Sequence, residues 1–168
     1  MASTSGTGFS GSAKVTLPSD AQILVTREFD APRRLVWRAY TEPELIKRWW
    51  AGEKGKVTSV EVDLRVGGRW RYVMEADGGF EVAFHGDYRE IAEPELLVNT
   101  EAFEGIPEPD ENAALVTATF TERGEHTFLE VFIESKDKEG RDAIIGSGME
   151  SGMQQSYDAL EKVAISLR

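Results

Sequence analysis

The sequence predicts an α+β domain in which an antiparallel meander is covered on one face by a long C-terminal helix. Three observations carry this. Apolar residues alternate with period two through the middle of the chain. Short glycine-rich turns separate those stretches. The last stretch switches to helical spacing, with Ile145, Met149, Met153, Tyr157, Leu160, Ala164 and Leu167 at steps of three and four.

In chain order, residues 1–21 read as a flexible tail. Ser, Thr and Gly fill eleven of the first twenty positions, the only charges there are Lys14 and Asp20, and Pro18 is the last break. A strand is expected over 22–29 (QILVTREF), followed by two short helices, each opened by a proline: PRRLVWRAY (32–40) and PELIKRWW (43–50). Leu35, Val36 and Ala39 share one side of the first. Strands are then expected over 57–64, 69–75, 80–91, 96–103, 115–121 and 127–135. Their turns are Val66-Gly67-Gly68, Ala76-Asp77-Gly78-Gly79 and Arg123-Gly124-Glu125. A single helix over 142–167 closes the chain. Strands joined by such short turns pair antiparallel, and the helix must bury its stripe against one face. Residues 22–168 form one domain, with no internal repeat.

Composition removes classes of function. The chain has 168 residues, 19 Lys or Arg against 30 Asp or Glu, and no cysteine, so its formal charge is −11. One core can hold a chain of this length. Without Cys there is no disulfide, no thiolate metal site and no cysteine nucleophile. Excess negative charge disfavours nucleic acid and anionic membrane as partners. No segment approaches the roughly 18 apolar residues of a membrane span, and no secretory signal is evident. No metal or cofactor is expected, and the absence of cysteine fits a cytoplasmic location.

The local motifs are weak. Gly146-Ser147-Gly148-Met149-Glu150-Ser151-Gly152 has the spacing GxGxxxG rather than a dinucleotide fingerprint, with no room after it for a βαβ unit. Small residues that let a helix start approach the sheet explain it better. Of the two histidines, His126 sits in a turn and is expected in solvent, whereas His85 lies within a strand beside Gly86. The acidic run Pro107-Glu108-Pro109-Asp110-Glu111-Asn112 lacks the glycine and spacing of a calcium loop; a stiff, solvated connection is expected there. His85, Tyr88 and Glu101 are the candidate acids and bases, none with a partner visible in sequence. Phe128 and Phe132 alternate with Leu129, Val131 and Ile133, so one strand is apolar on both faces; a homodimer or a covering helix would account for that.

More informative is the aromatic and methionine set. Trp70, Tyr72 and Met74 alternate on one strand face, and Phe80, Val82, Phe84 and Tyr88 can do so on the next. Trp49-Trp50 closes the second short helix, and Met149, Met153 and Tyr157 share the long helix's stripe. Two readings fit: ordinary core, or the wall of a pocket that a helix crossing a curved sheet leaves unfilled.

The segments REFDAP (27–32), VWRAYTEPE (36–44), WW (49–50), DLRVGGRWRYVM (63–74) and HGDYREI…PELLV (85–98) resemble the family of the C-terminal domain of the heat-shock-protein-90 ATPase activator, within the START-like (SRPBCC) superfamily. The resemblance covers residues 22–167 and implies a helix-grip fold, a curved antiparallel sheet of six to seven strands around a long C-terminal helix. Relatives often carry Gly-Trp where this chain has Gly152-Met153, a change that would enlarge or soften the pocket wall. From the resemblance and the aromatic set follows the expected function: a hydrophobic or aromatic small molecule held between helix and sheet. Its expected wall is Trp49, Trp50, Trp70, Tyr72, Met74, Phe84, Tyr88, Phe103, Met149, Met153 and Tyr157. The alternatives are an enzyme of cyclase, aromatase or hydrolase type and a co-chaperone-like stimulator of a heat-shock ATPase. The activator's extra N-terminal chaperone-binding domain has no counterpart in this sequence, which ranks the chaperone role last.

Overall fold

A computed structural model describes residues 12–168. Among the described residues, eight strands form one antiparallel sheet: β1 (Lys14–Thr16), β2 (Gln22–Phe29), β3 (Gly55–Val62), β4 (Arg69–Ala76), β5 (Glu81–Ala92), β6 (Leu96–Phe103), β7 (Ala114–Arg123) and β8 (His126–Glu134). Their spatial order is β1-β2-β8-β7-β6-β5-β4-β3, so β3 to β8 meander and β2 closes onto β8. Helices α1 (Arg33–Thr41) and α2 (Pro43–Ile46) follow β2, and α3 (Lys138–Gly146) and α4 (Met149–Ser166) end the chain. This is the expected α+β helix-grip architecture, with one strand more than the six to seven expected.

The extra strand corrects the reading of the tail. Lys14–Thr16 pairs antiparallel with Leu24–Thr26. The Gln154 side-chain amide in α4 holds Ala13 from the other side, accepting from its N–H at 3.0 Å and donating to its carbonyl at 2.8 Å. An edge strand of this kind is set by tertiary partners, which a polar composition does not reveal. The expected tail over residues 1–11 lies outside the described residues.

The C-terminal helix is not continuous. Ser147 ends α3 and Gly148, at φ +83°, begins α4. A left-handed residue cannot continue an α-helix, and glycine adopts it without steric cost. A Cβ at Gly148 or Gly152 would meet the Lys54 side chain at 3.7 and 3.6 Å, so the small residues face the segment leading into β3 rather than the sheet itself.

Alternation defines the two sheet faces. On β2, Ile23, Val25, Arg27 and Phe29 are buried and point toward α4. Arg27 reaches Asp158 at 2.6 Å and Glu161 at 3.2 Å, and Phe29 meets Tyr157 edge-on at 5.9 Å. Register carries the same face across the sheet through Val131, Ala118 and Leu97. The backbone of α4 runs close to α1 and α3 and to no strand to the same extent. Long side chains therefore bridge helix and sheet.

Candidate functional site

The inner face of β4, β5 and β6 builds the site. Cross-strand pairs set Tyr72 opposite Phe84, Met74 opposite Val82, Phe84 opposite Phe103, and Tyr88 opposite Asn99. Glu101 falls between Asn99 and Phe103 on that face and pairs with the buried Ala114 of β7. Above it the aromatic rings meet in sequence: Trp50 stands edge-on to Tyr72 at 5.4 Å and to Phe84 at 5.7 Å, and Trp70 lies 4.6 Å from Tyr72. Such edge-on pairs hold ring positions as well as burying area.

These rings divide into two groups by what their polar tips do. Trp49 donates its indole N–H to the Ala39 carbonyl at 2.8 Å and stacks on Tyr40 at 5.9 Å, so it locks the end of α2 to α1. Trp70 lies across Gly86 and donates to the Thr100 carbonyl at 3.1 Å; a Cβ on Gly86 would come within 2.7 Å of that indole nitrogen. Both are buried structural residues. Trp50 is different: it is half-buried, and α4 fixes its backbone instead, with Ser156 Oγ donating to the Trp50 carbonyl at 2.8 Å. Tyr72, Phe84, Met74, Met149 and Met153 are also half-buried, and Tyr88 and Tyr157 are buried. Phe103 stands at the rim, 37% exposed, against Phe84 at 5.1 Å. Phe80 leaves the set: it precedes β5 in the turn and is 61% exposed.

Glu101 is the chemically distinctive group. Burial raises its carboxyl to a pKa of about 7, because the ionised form loses solvation that no neighbour replaces. Its charge in turn raises the hydroxyls of Tyr40, Tyr72 and Tyr157, each already raised chiefly by burial. Those tyrosines come from α1, β4 and α4. No hydrogen bond within the described residues reaches the Glu101 carboxyl. The residue itself is half-buried. Tyr40 was missed in sequence. Its signal was the i, i+4 step from buried Val36.

The three candidate acids and bases are not brought together. Tyr88 and Glu101 face inward, but His85 alternates to the outer face, where its cross-strand neighbours are Arg71 and Ala102. There its Nδ1 meets Glu104 Oε2 at 2.8 Å and its Nε2 meets Asp110. Arg71 grips Glu104 with two bonds of 2.9 Å. Hydrogen bonding to Asp110, and then to Glu104, raises the His85 pKa; Arg71 first, then His85, lowers Glu104 to about 2. The acidic connection after β6 is thus fastened to the sheet rather than wholly solvated. His126 also departs from expectation, lying 3.3 Å from Glu28 and 3.4 Å from Asp30.

The described residues also form surface clefts, two of which stand out. One of about 450 Å³ runs along β3, β4 and β5, lined by Glu61, Asp63, Arg69, Trp70, Arg71 and His85. The other, about 350 Å³, lies between the end of α2 and β3. Neither includes Tyr72, Phe84 or Met153. Among the described residues no three His, Asp or Glu side chains converge as metal ligands would, and no helix is long and apolar enough to cross a membrane.

The family model described as "Activator of Hsp90 ATPase homolog 1-like protein" matches residues 30–164. Solved structures share the fold. A Rhodobacter sphaeroides protein is 22% identical with a TM-score of 0.83, over 92% of this chain and 99% of its own. A Mycobacterium smegmatis protein is 24% identical with a TM-score of 0.77, over 89% and 96%. A Chromobacterium violaceum protein is 27% identical with a TM-score of 0.74, over 87% and 98%. No curated protein matches the chain.

Proposed function

The chain belongs to the Activator of Hsp90 ATPase homolog 1-like family, and from that premise we propose that it is a small-molecule binding protein that holds a hydrophobic or aromatic ligand between α4 and the sheet. One observation carries the reading. Half-buried Trp50, Tyr72 and Phe84 meet on the inner face, and on that same face half-buried Glu101 has no hydrogen-bond partner among the described residues. A core built only for stability pairs or excludes such a carboxyl. Mostly apolar walls with few polar groups are what a ligand site requires.

The test is an equilibrium titration with the neutral fluorophore N-phenyl-1-naphthylamine. We expect saturable binding at one site per chain, and a Trp50→Ala variant that folds normally but binds about tenfold more weakly, as loss of a buried aromatic contact implies. Non-saturable binding, or an unchanged Trp50→Ala affinity, would exclude the interior site.

A second reading has a specific observation behind it. A carboxyl that titrates near neutrality is suited to general acid–base work. Glu101 would then act on a bound apolar substrate in a cyclase, aromatase or hydrolase reaction, with Tyr72 as a candidate hydroxyl donor. Turnover abolished in Glu101→Gln with retained ligand binding would favour it. The family's name suggests ATPase stimulation; an unchanged chaperone ATPase rate at saturating protein would remove that role.

A further inference from the structure

The sign of charge singles out one of the surface clefts. Along β3, β4 and β5 the lining cations Arg69, Arg71 and His85 are balanced by Glu61 and Asp63, and Arg71 and His85 are already bonded to Glu104. The cleft of about 350 Å³ between the end of α2 and β3 is different. Lys47 and Arg48 line it from the α2 side and Lys56 from β3, with no acid in its lining. All three cations are exposed. Lys47 pairs at 3.1 Å with Glu44 on the solvent side, a contact of small worth. Arg48 donates to Ser166 Oγ at 3.4 Å, and neither Arg48 nor Lys56 has an ion pair among the described residues. Glu75, opposite Lys56 on β4, and Glu53 in the intervening segment are exposed and pair with none of the three. Lys56 alone would be explained as a charge guarding the β3 edge of the sheet. Lys47 and Arg48, on the facing wall, have no such role.

Three like charges about one concavity repel one another, and an anion between them removes that cost. A phosphate dianion suits this set, because guanidinium forks onto its oxygens and lysines add point charges. The cleft's volume falls within the range of roughly 300–1,000 Å³ typical of small-ligand sites, which leaves room for an organic body beside the anion. Trp49 and Val57 supply apolar wall for it. A nucleic acid would extend past three cations onto a surface of net charge −11. Screening over about 8 Å at physiological salt confines a small ester to the field of the cleft itself. We propose that the cleft between α2 and β3 binds a small phosphate monoester, its dianion held by Lys47, Arg48 and Lys56, at a site separate from the interior.

The test is a series of two-dimensional amide NMR titrations with phenyl phosphate, inorganic phosphate, benzoate and phenol. They are run near pH 7.5, where a phosphate monoester, with its second pKa of about 6, is mainly dianionic. Phenyl phosphate is expected to shift the amides of Gly52, Gly55 and Val57 saturably, with inorganic phosphate and benzoate weaker and phenol leaving these amides in place. Arg48→Gln and Lys56→Gln should each weaken phenyl phosphate about tenfold, as loss of one charge-assisted hydrogen bond implies. Unmoved amides elsewhere in both variants report an intact fold. Inorganic phosphate binding as tightly as phenyl phosphate overturns the assignment to an ester. Equal shifts of these amides by phenol, an unchanged affinity in both variants, or shifts centred on Arg69 and Arg71 overturn the anion site. None of these outcomes bears on the interior site, which Trp50 reports.

Discussion

At the scale of single residues, the decisive contrast is between polar groups the fold has satisfied and those it has left open. Indoles at Trp49 and Trp70 end on backbone carbonyls, and the two terminal nitrogens of buried Arg27 meet Asp158 and Glu161 of α4, although its Nε is enclosed without a partner. Glu101 has no such partner, and its raised pKa has a stability consequence with a definite sign. Below its unfolded pKa the carboxyl is neutral in both states and contributes nothing. As pH rises from about 4.5 to about 7 the unfolded chain ionises first, and the folded state loses stability. The loss is on the order of 3 kcal/mol. Glu101→Gln should therefore raise the midpoint of thermal unfolding by several degrees at pH 8 and leave it nearly unchanged at pH 4. An equal effect at both pH values would show that Glu101 is ordinarily solvated. None of this was legible in sequence, where Glu101 was one of several candidate acids. Its burial is made by the packing of the folded chain, which no local pattern around Glu101 reveals.

At the scale of elements, the alternating strands and their turns were legible because period two and glycine chemistry are local. β2 falls over 22–29 as expected, and β6 over 96–103. The departures have non-local causes. The break between α3 and α4 hides inside an apolar stripe that runs unbroken through Ile145 and Met149, and only the backbone angle of Gly148 shows it. β1 exists because β2 and Gln154 hold it. His85 was one position from the inner face, and a single step along a strand exchanges interior for exterior. On the outer face it fastens the connection carrying Asp110. Its raised pKa means this fastening is fully present below the ordinary histidine value of about 6.5 and is lost as pH rises through the folded value. Arg71, Glu104 and Asp110 are the charged groups that face it. Amide resonances of residues 105–112 should accordingly move together with the His85 ring titration, and stay flat over the same range in His85→Gln. A segment that shifts identically in the variant would contradict the latch.

For the whole molecule, family and fold agree: the family model spans residues 30–164, and relatives at 22–27% identity superpose over most of both chains. Identity that low conveys the sheet and helix, not the ligand. The interior of this chain carries Met153 on α4, Trp50 edge-on to Tyr72, and half-buried Glu101 with its raised pKa. The acidic surface and the aromatic interior are separate designs, and the second carries the proposed function. The four tryptophans allow it to be tested in one spectrum. In a two-dimensional NMR titration with N-phenyl-1-naphthylamine, the Trp50 indole N–H should shift saturably, while that of Trp49, bonded to the Ala39 carbonyl, stays in place. Shifts confined to the outer cleft at Glu61, Asp63 and Arg69, with Trp50 unmoved, would contradict an interior ligand site.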